Sequence, residues 1–131
     1  TLGMTPDFME DSLDYLQLAV TNALYDTEAE WLFKDEYKNS ATEMELGFKS
    51  KKGFRKLIID RFFTDEDGVN WIVDYKLSAP ASGDNIGSFL EKQAEAYREI
   101  MMLYKKAARG LFDGDTRAAL YFPIIKTLYK Y

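Results

Sequence analysis

From position 56 to 77 the chain reads Lys56-Leu57-Ile58-Ile59-Asp60-Arg61-Phe62-Phe63, then Thr64-Asp65-Glu66-Asp67-Gly68, then Val69-Asn70-Trp71-Ile72-Val73-Asp74-Tyr75-Lys76-Leu77. Two runs rich in β-branched and aromatic residues flank an acidic turn containing Asp67-Gly68, which is a strong hairpin signal. A turn centred on Asp67 pairs Phe63 with Trp71, Phe62 with Ile72 and Asp60 with Asp74. Two carboxylates then face each other mid-sheet with Cβ atoms roughly 5 Å apart, an arrangement that destabilises strands unless positive charge lies between them. Lys76 follows Asp74 by two residues, so alternation puts it on the same face. Trp71 and Tyr75 fall on the opposite face and read as packing residues.

Upstream, Thr5-Pro6-Asp7 predicts a helix start, with Thr5 as cap and Pro6 at the first helical position. Phe8, Leu13, Leu16, Val20 and Leu24 continue it to about Tyr25 as an apolar stripe expected in the core. Residues 28–33 read as a short helix, 34–40 as a polar connection, 41–48 as a strand and 49–53 as the turn into the hairpin. Downstream, residues 78–87 are small and polar, a loop by composition. Ser88 with Glu91 three positions later forms a capping box that opens a long helix. Its stripe of Phe89, Ala96, Ile100, Leu103, Ala107 and Leu111 ends near Arg109-Gly110. Asp113-Gly114-Asp115 turns the chain, residues 116–122 form a last strand stopped by Pro123, and 124–131 fits no single element. A strand, a long helix and a strand imply a right-handed crossover to a parallel neighbour. The order α, β, β, β, α, β therefore predicts an α/β fold, a mixed β-sheet flanked by helices on both faces.

Composition narrows the chemistry. At 131 residues, 47% hydrophobic and 30% charged, the chain suits one soluble domain with a real core. It has no cysteine and no histidine, which excludes disulfides, thiolate metal sites and His-dependent nucleophilic triads. Any metal must be held by oxygen, which points to a hard ion such as Mg²⁺ or Mn²⁺. No apolar run reaches the roughly 20 residues of a membrane span, so no membrane partner is expected. The formal net charge of −5 argues against a polyanion partner. The distribution of charge weakens that objection, because Lys49, Lys51, Lys52, Arg55, Lys56 and Arg61 cluster around the first hairpin strand.

Asp60, then Asp74-Tyr75-Lys76, is the sharpest chemical signal. Mg²⁺ takes oxygen ligands, keeps several waters and prefers one or two carboxylates plus a substrate phosphate. Lys76 could orient or deprotonate a water, or stabilise charge on a phosphate. Glu43 and Glu45 on the preceding strand are further candidates for a ligand or a supporting contact. Salt bridges from Asp60 or Asp74 to Arg61 or Lys56 explain the same residues without a metal, and the two readings stand level. Gln93 and Tyr97 share a helix face four residues apart; they either reach the acidic site or form an ordinary half-buried polar edge. The acidic run at 65–68 lacks the closing Glu of a calcium loop and is a turn. There is no phosphate-binding loop of the Gly-Lys-Ser/Thr type.

Ile59-Asp60-Arg61, Trp71-Ile72-Val73-Asp74-Tyr75-Lys76 and Gln93-Ala94-Glu95-Ala96-Tyr97 resemble the nuclease domain that closes AddA- and RecB-type helicase-nucleases. These belong to the restriction-endonuclease-like, PD-(D/E)xK superfamily. Trp31-Leu32, Glu43 and Ala118-Ala119-Leu120-Tyr121-Phe122-Pro123 add supporting matches, so the likeness spans roughly residues 28–123. The resemblance implies a helix-flanked mixed sheet in αβββαβ order and a Mg²⁺- or Mn²⁺-dependent deoxyribonuclease acting in DNA repair and recombination. It makes Asp60 and Asp74 the metal ligands, Lys76 the catalytic lysine, Glu43 the acid of the preceding strand, and Gln93 with Tyr97 the helix motif beside the site. Glu45 has no counterpart. The implied partners are DNA, helicase domains of the same longer chain and a second subunit of an AddAB- or RecBCD-like complex, in the cytoplasm. Residues 1–131 would then be a single nuclease domain, a C-terminal fragment of that longer protein. Such nucleases usually carry a histidine upstream of the first strand. Its lack here implies either a chain that begins after that helix or a member that has lost the residue.

Overall fold

The computed structural model describes residues 6–131 and, within the first helix, side chains from Leu13 onward. The predicted cap Thr5 and the side chain of Phe8 lie outside the described residues. Helix α1 covers Pro6–Tyr25 and a 3₁₀ turn covers Glu30–Phe33. Strands β1 (Lys38–Ser50), β2 (Gly53–Thr64) and β3 (Asn70–Tyr75) precede helix α2 (Ile86–Arg109). Strand β4 (Thr116–Phe122), a second 3₁₀ turn (Pro123–Ile125) and strand β5 (Thr127–Lys130) follow. The result is an α/β architecture with one five-stranded mixed sheet in the order β1-β2-β3-β4-β5. Every neighbouring pair is antiparallel except β3 and β4, which run parallel because α2 carries the chain across between them.

The hairpin forms in the expected register, Phe62 opposite Ile72 and Phe63 opposite Trp71. Its turn is held by one side chain. Asp65 accepts from the backbone N–H groups of Asp67 and Val69 and from the indole of Trp71, each at 2.9 Å. Gly68 supplies the left-handed residue there, with φ of 81°.

Alternation divides the core between the two faces of the sheet. On one side α2 brings Met101, Ala107 and Ala108 onto Leu57, Ile59, Phe62, Ile72 and Leu120. On the other, Ala29 and Leu32 pack onto Phe63, Trp71, Val73 and Tyr121, with Ala23 of α1 at the margin. Arg61 is buried on this second side, donating to the carbonyls of Leu32 and Lys34 and to the Ser40 hydroxyl at 2.7–2.9 Å. Among the described residues, no helix is long and apolar enough to cross a membrane.

Several expectations need correction. The stripe Leu13, Leu16, Val20 and Leu24 is not core; these side chains are 65%, 48%, 53% and 77% exposed. Helix α1 instead docks through small and polar residues. Ala19 is buried, Asn22 donates to the carbonyls of Pro123 and Ile124 at 3.0 and 3.1 Å, and just past the helix Asp26 accepts the Tyr121 hydroxyl at 2.8 Å. Those directional bonds fix the helix rotation and turn the leucines outward. Helix α2 begins at Ile86, capped by Asn85, whose side chain accepts from the Ser88 N–H at 3.1 Å; Ser88 lies inside the helix, and no Ser88–Glu91 capping box opens it. Its buried line runs through Ala94, Met101, Ala107 and Ala108, with Leu90, Tyr97 and Tyr104 packed alongside. The predicted stripe holds at Phe89, Ile100, Leu103 and Ala107, whereas Ala96 and Leu111 are exposed. Strand β1 extends beyond 41–48 at both ends, and the aromatic tail adds the short edge strand β5.

Candidate active site

The ladder between β2 and β3 ends at Arg61 opposite Val73. One step further, where Asp60 and Asp74 would pair through their backbones, the Asp60 carboxylate intervenes and accepts the Tyr75 N–H at 2.9 Å. On its other flank Asp60 stands opposite Glu43 by register, and that pair is missing from the β1–β2 ladder too. Glu43 there adopts a left-handed φ of 50°, a conformation costly for a residue with a Cβ. Ile59 and Phe62, three residues apart, both reach the same core cluster, so strict alternation breaks at Asp60. The acid occupies a kink, without a register partner in either ladder.

Asp74 lies beside it. Its side chain is 15% exposed and forms an ion pair of 2.7 Å with Lys76 Nζ. Burial pushes the Asp74 carboxyl up to about 6, and the adjacent Asp60 carboxylate, near enough to share a proton, pushes the same way. Lys76 opposes both effects without cancelling them. The Lys76 ammonium also stands 3.6 Å from the centre of the Tyr97 ring, so a carboxylate and an aromatic face hold it from two directions. Two acids and one cation therefore meet on the α2 side of the sheet.

The cations that could have made this a pair of ordinary salt bridges are engaged elsewhere. Arg61 is turned to the opposite face, bonded to the Leu32 and Lys34 carbonyls. Lys56 pairs with Glu45 at 2.9 Å, with both side chains more than half exposed, which removes Glu45 from the site. The acid pair is left with Lys76.

The chain matches no protein-family model and no curated protein. What the site can do is therefore read from its own geometry.

Gln93 does not touch the acids. Its Oε1 accepts from Ser78 Oγ at 3.3 Å, tying α2 to the segment just after Lys76. Glu43 is exposed at the kink, and among the described residues no three His, Cys, Asp or Glu side chains gather as a metal-binding group. Sequence reasoning missed Tyr104, whose hydroxyl is pushed up by burial and by the charges of Asp74 and Asp60, while Lys76 and Arg55 pull it down. Its spacing of seven from Tyr97 puts it two turns along the same helix face, and that was the available signal.

The donor set fits a hard divalent ion. Two adjoining carboxylates, one of them raised by burial and by its neighbour, offer the oxygen donors that Mg²⁺ or Mn²⁺ would take. Asp60 and Asp74 are the residues that would hold it.

Proposed function

We propose that this chain is a divalent-metal-dependent DNA nuclease domain of the restriction-endonuclease-like kind, hydrolysing phosphodiester bonds as part of a longer helicase-nuclease in double-strand break repair and recombination. The observation that carries the reading is the packing of Asp60, Asp74 and Lys76 on one face at an interruption of the ladder, with no second cation spent on the acids. A helix, three strands, a crossover helix and a parallel strand around a mixed sheet support the same reading. So does the charge distribution: beyond Phe33 the chain carries 17 basic and 15 acidic residues, with Lys49, Lys51, Lys52, Arg55 and Lys56 exposed on the β1–β2 ribbon. An exposed positive surface of that kind suits a phosphate backbone.

When bound, Mg²⁺ or Mn²⁺ supplies Lewis acidity toward a phosphodiester. The chain's own residues do the rest. Asp60 is oriented by the Tyr75 N–H, and Asp74 by Lys76. The Lys76 ammonium, steadied over Tyr97, offsets negative charge that develops on phosphate oxygens. Gln93, through Ser78, steadies the backbone that follows Lys76.

A second reading, a catalytically silent module serving a DNA or protein interface, draws on the donor set stopping at two carboxylates among the described residues. Cleavage of end-labelled DNA in Mg²⁺ or Mn²⁺ separates the two. The nuclease reading predicts products with the wild type and none with Lys76→Ala; equal cleavage by both would end it.

A further inference from the structure

We propose that the outward face of helix α1 is a docking surface for a basic amphipathic helix of a partner protein. The helix is packed back to front for a domain of this size. Its small residues face the sheet, while Leu13, Leu16, Val20 and Leu24 point away and are about half to three-quarters exposed. Their spacing of three, four and four is the anchor pattern by which one helix grips another. Isolated exposed leucines are unremarkable, but a contiguous apolar ridge marks an interaction site.

The ridge borders a trough. Cavities of about 450 and 200 Å³ share Val20, Ala23 and Phe33, and together they run along α1 from Leu16 to Tyr25. Their far wall is built by Phe33, Tyr75 and Leu77. From Leu16 to Leu24 the trough is about 12 Å long at 1.5 Å per residue. That accommodates anchors at i, i+3 or i+4, and i+7 of an incoming helix.

Charge selects the occupant. From Thr1 to Phe33 the chain has seven acidic residues and no lysine or arginine. The net charge of −5 is thus an acidic segment up to Phe33 joined to a slightly basic remainder. Asp14, Glu28 and Glu30 are exposed on this acidic segment. A helix with an apolar stripe flanked by Lys or Arg satisfies both features, with electrostatic steering on approach. A second copy of this chain, meeting face to face, would set like charge against like.

The inference does not depend on the nuclease reading, because neither the ridge nor its trough includes Asp60, Asp74 or Lys76. The test is a fluorescence-anisotropy titration of the full chain into a labelled Leu/Lys amphipathic helical peptide. A version with every Lys replaced by Glu serves as control. The Lys peptide should bind saturably, weaken with added salt, and lose about tenfold in affinity on Leu16→Ser or Leu24→Ser. Both positions are solvent-exposed, so circular dichroism should show the variants folded, and Asp74→Asn should bind the peptide like the wild type. Equal binding of the Glu peptide overturns the proposal, as does binding unchanged by the two serine substitutions. Sedimentation as a dimer that Leu24→Ser dissociates would assign the face to a second copy and overturn it as well.

Discussion

Replacing Asp74 by Asn should make the protein more stable while abolishing the proposed metal binding and cleavage. The Asp74 carboxyl is moved from an ordinary 3.8 to about 6, mainly by burial and then by Asp60. At about 1.4 kcal/mol per pH unit, that rise corresponds to about 3 kcal/mol against the ionised form. The contact with Lys76 is already in that balance, since it pulls the other way. With 15% of the side chain still in solvent, about 2 kcal/mol is the working figure after screening. An acid whose pKa rises on folding binds its proton more tightly in the native state. Stability therefore falls as pH climbs from about 4 through about 6 and is level above that. Asparagine keeps the shape and removes the charge. Urea unfolding should find Asp74→Asn about 2 kcal/mol more stable than wild type at pH 8, a midpoint higher by about 1 M. At pH 4, where wild-type Asp74 is protonated, the two curves should nearly coincide. A variant less stable than wild type at pH 8, or a gap of the same size at pH 4, would refute the idea of a charge-strained pair.

Two further substitutions probe the frame that holds the site. Arg61→Ala strips the donors from the buried Leu32 carbonyl and the part-buried Lys34 carbonyl and should cost about 3 kcal/mol in chemical denaturation; Arg61→Lys, lacking the planar fork, should recover only part of it. Thr116 is 1% exposed and its hydroxyl has no partner among the described residues, so Thr116→Val should raise the thermal midpoint through a gain of about 1 kcal/mol.

The hairpin was legible because its information is local: Asp67-Gly68 sets the turn, and the flanking aromatic and β-branched residues set the register. The parallel crossover followed from a long helix between two strands. What the sequence concealed depends on contacts far apart along the chain. The rotation of α1 is chosen by Asn22 and Asp26, whose partners at Pro123, Ile124 and Tyr121 lie about a hundred residues away; a periodicity count sees only the leucines and sends them inward. The cap of α2 was misassigned because Asn85 and Ser88 are both good N-cap residues, and three-dimensional geometry picked the earlier one.

At the candidate site, alternation along the hairpin indicated that Asp60, Asp74 and Lys76 converge, while Tyr97 was placed beside them only by the family resemblance. It did not reveal that Asp60 leaves the ladder to take the Tyr75 N–H. Nor did it show which way Arg61 points. The side chain of a strand residue beside an acid can pair with it or turn through the sheet, and here three oxygen acceptors on the far side outweigh one shared carboxylate. Gln93 meets Ser78 and not the acids, a distinction that spacing along the helix cannot resolve.

If Asp60 and Asp74 together seat a divalent cation, calorimetric titration of Mn²⁺ shows it most directly. Wild type should give a saturable binding heat that vanishes in Asp74→Asn and in Asp60→Asn, with both variants folded. Indistinguishable heats for wild type and the two variants would contradict a shared metal seat.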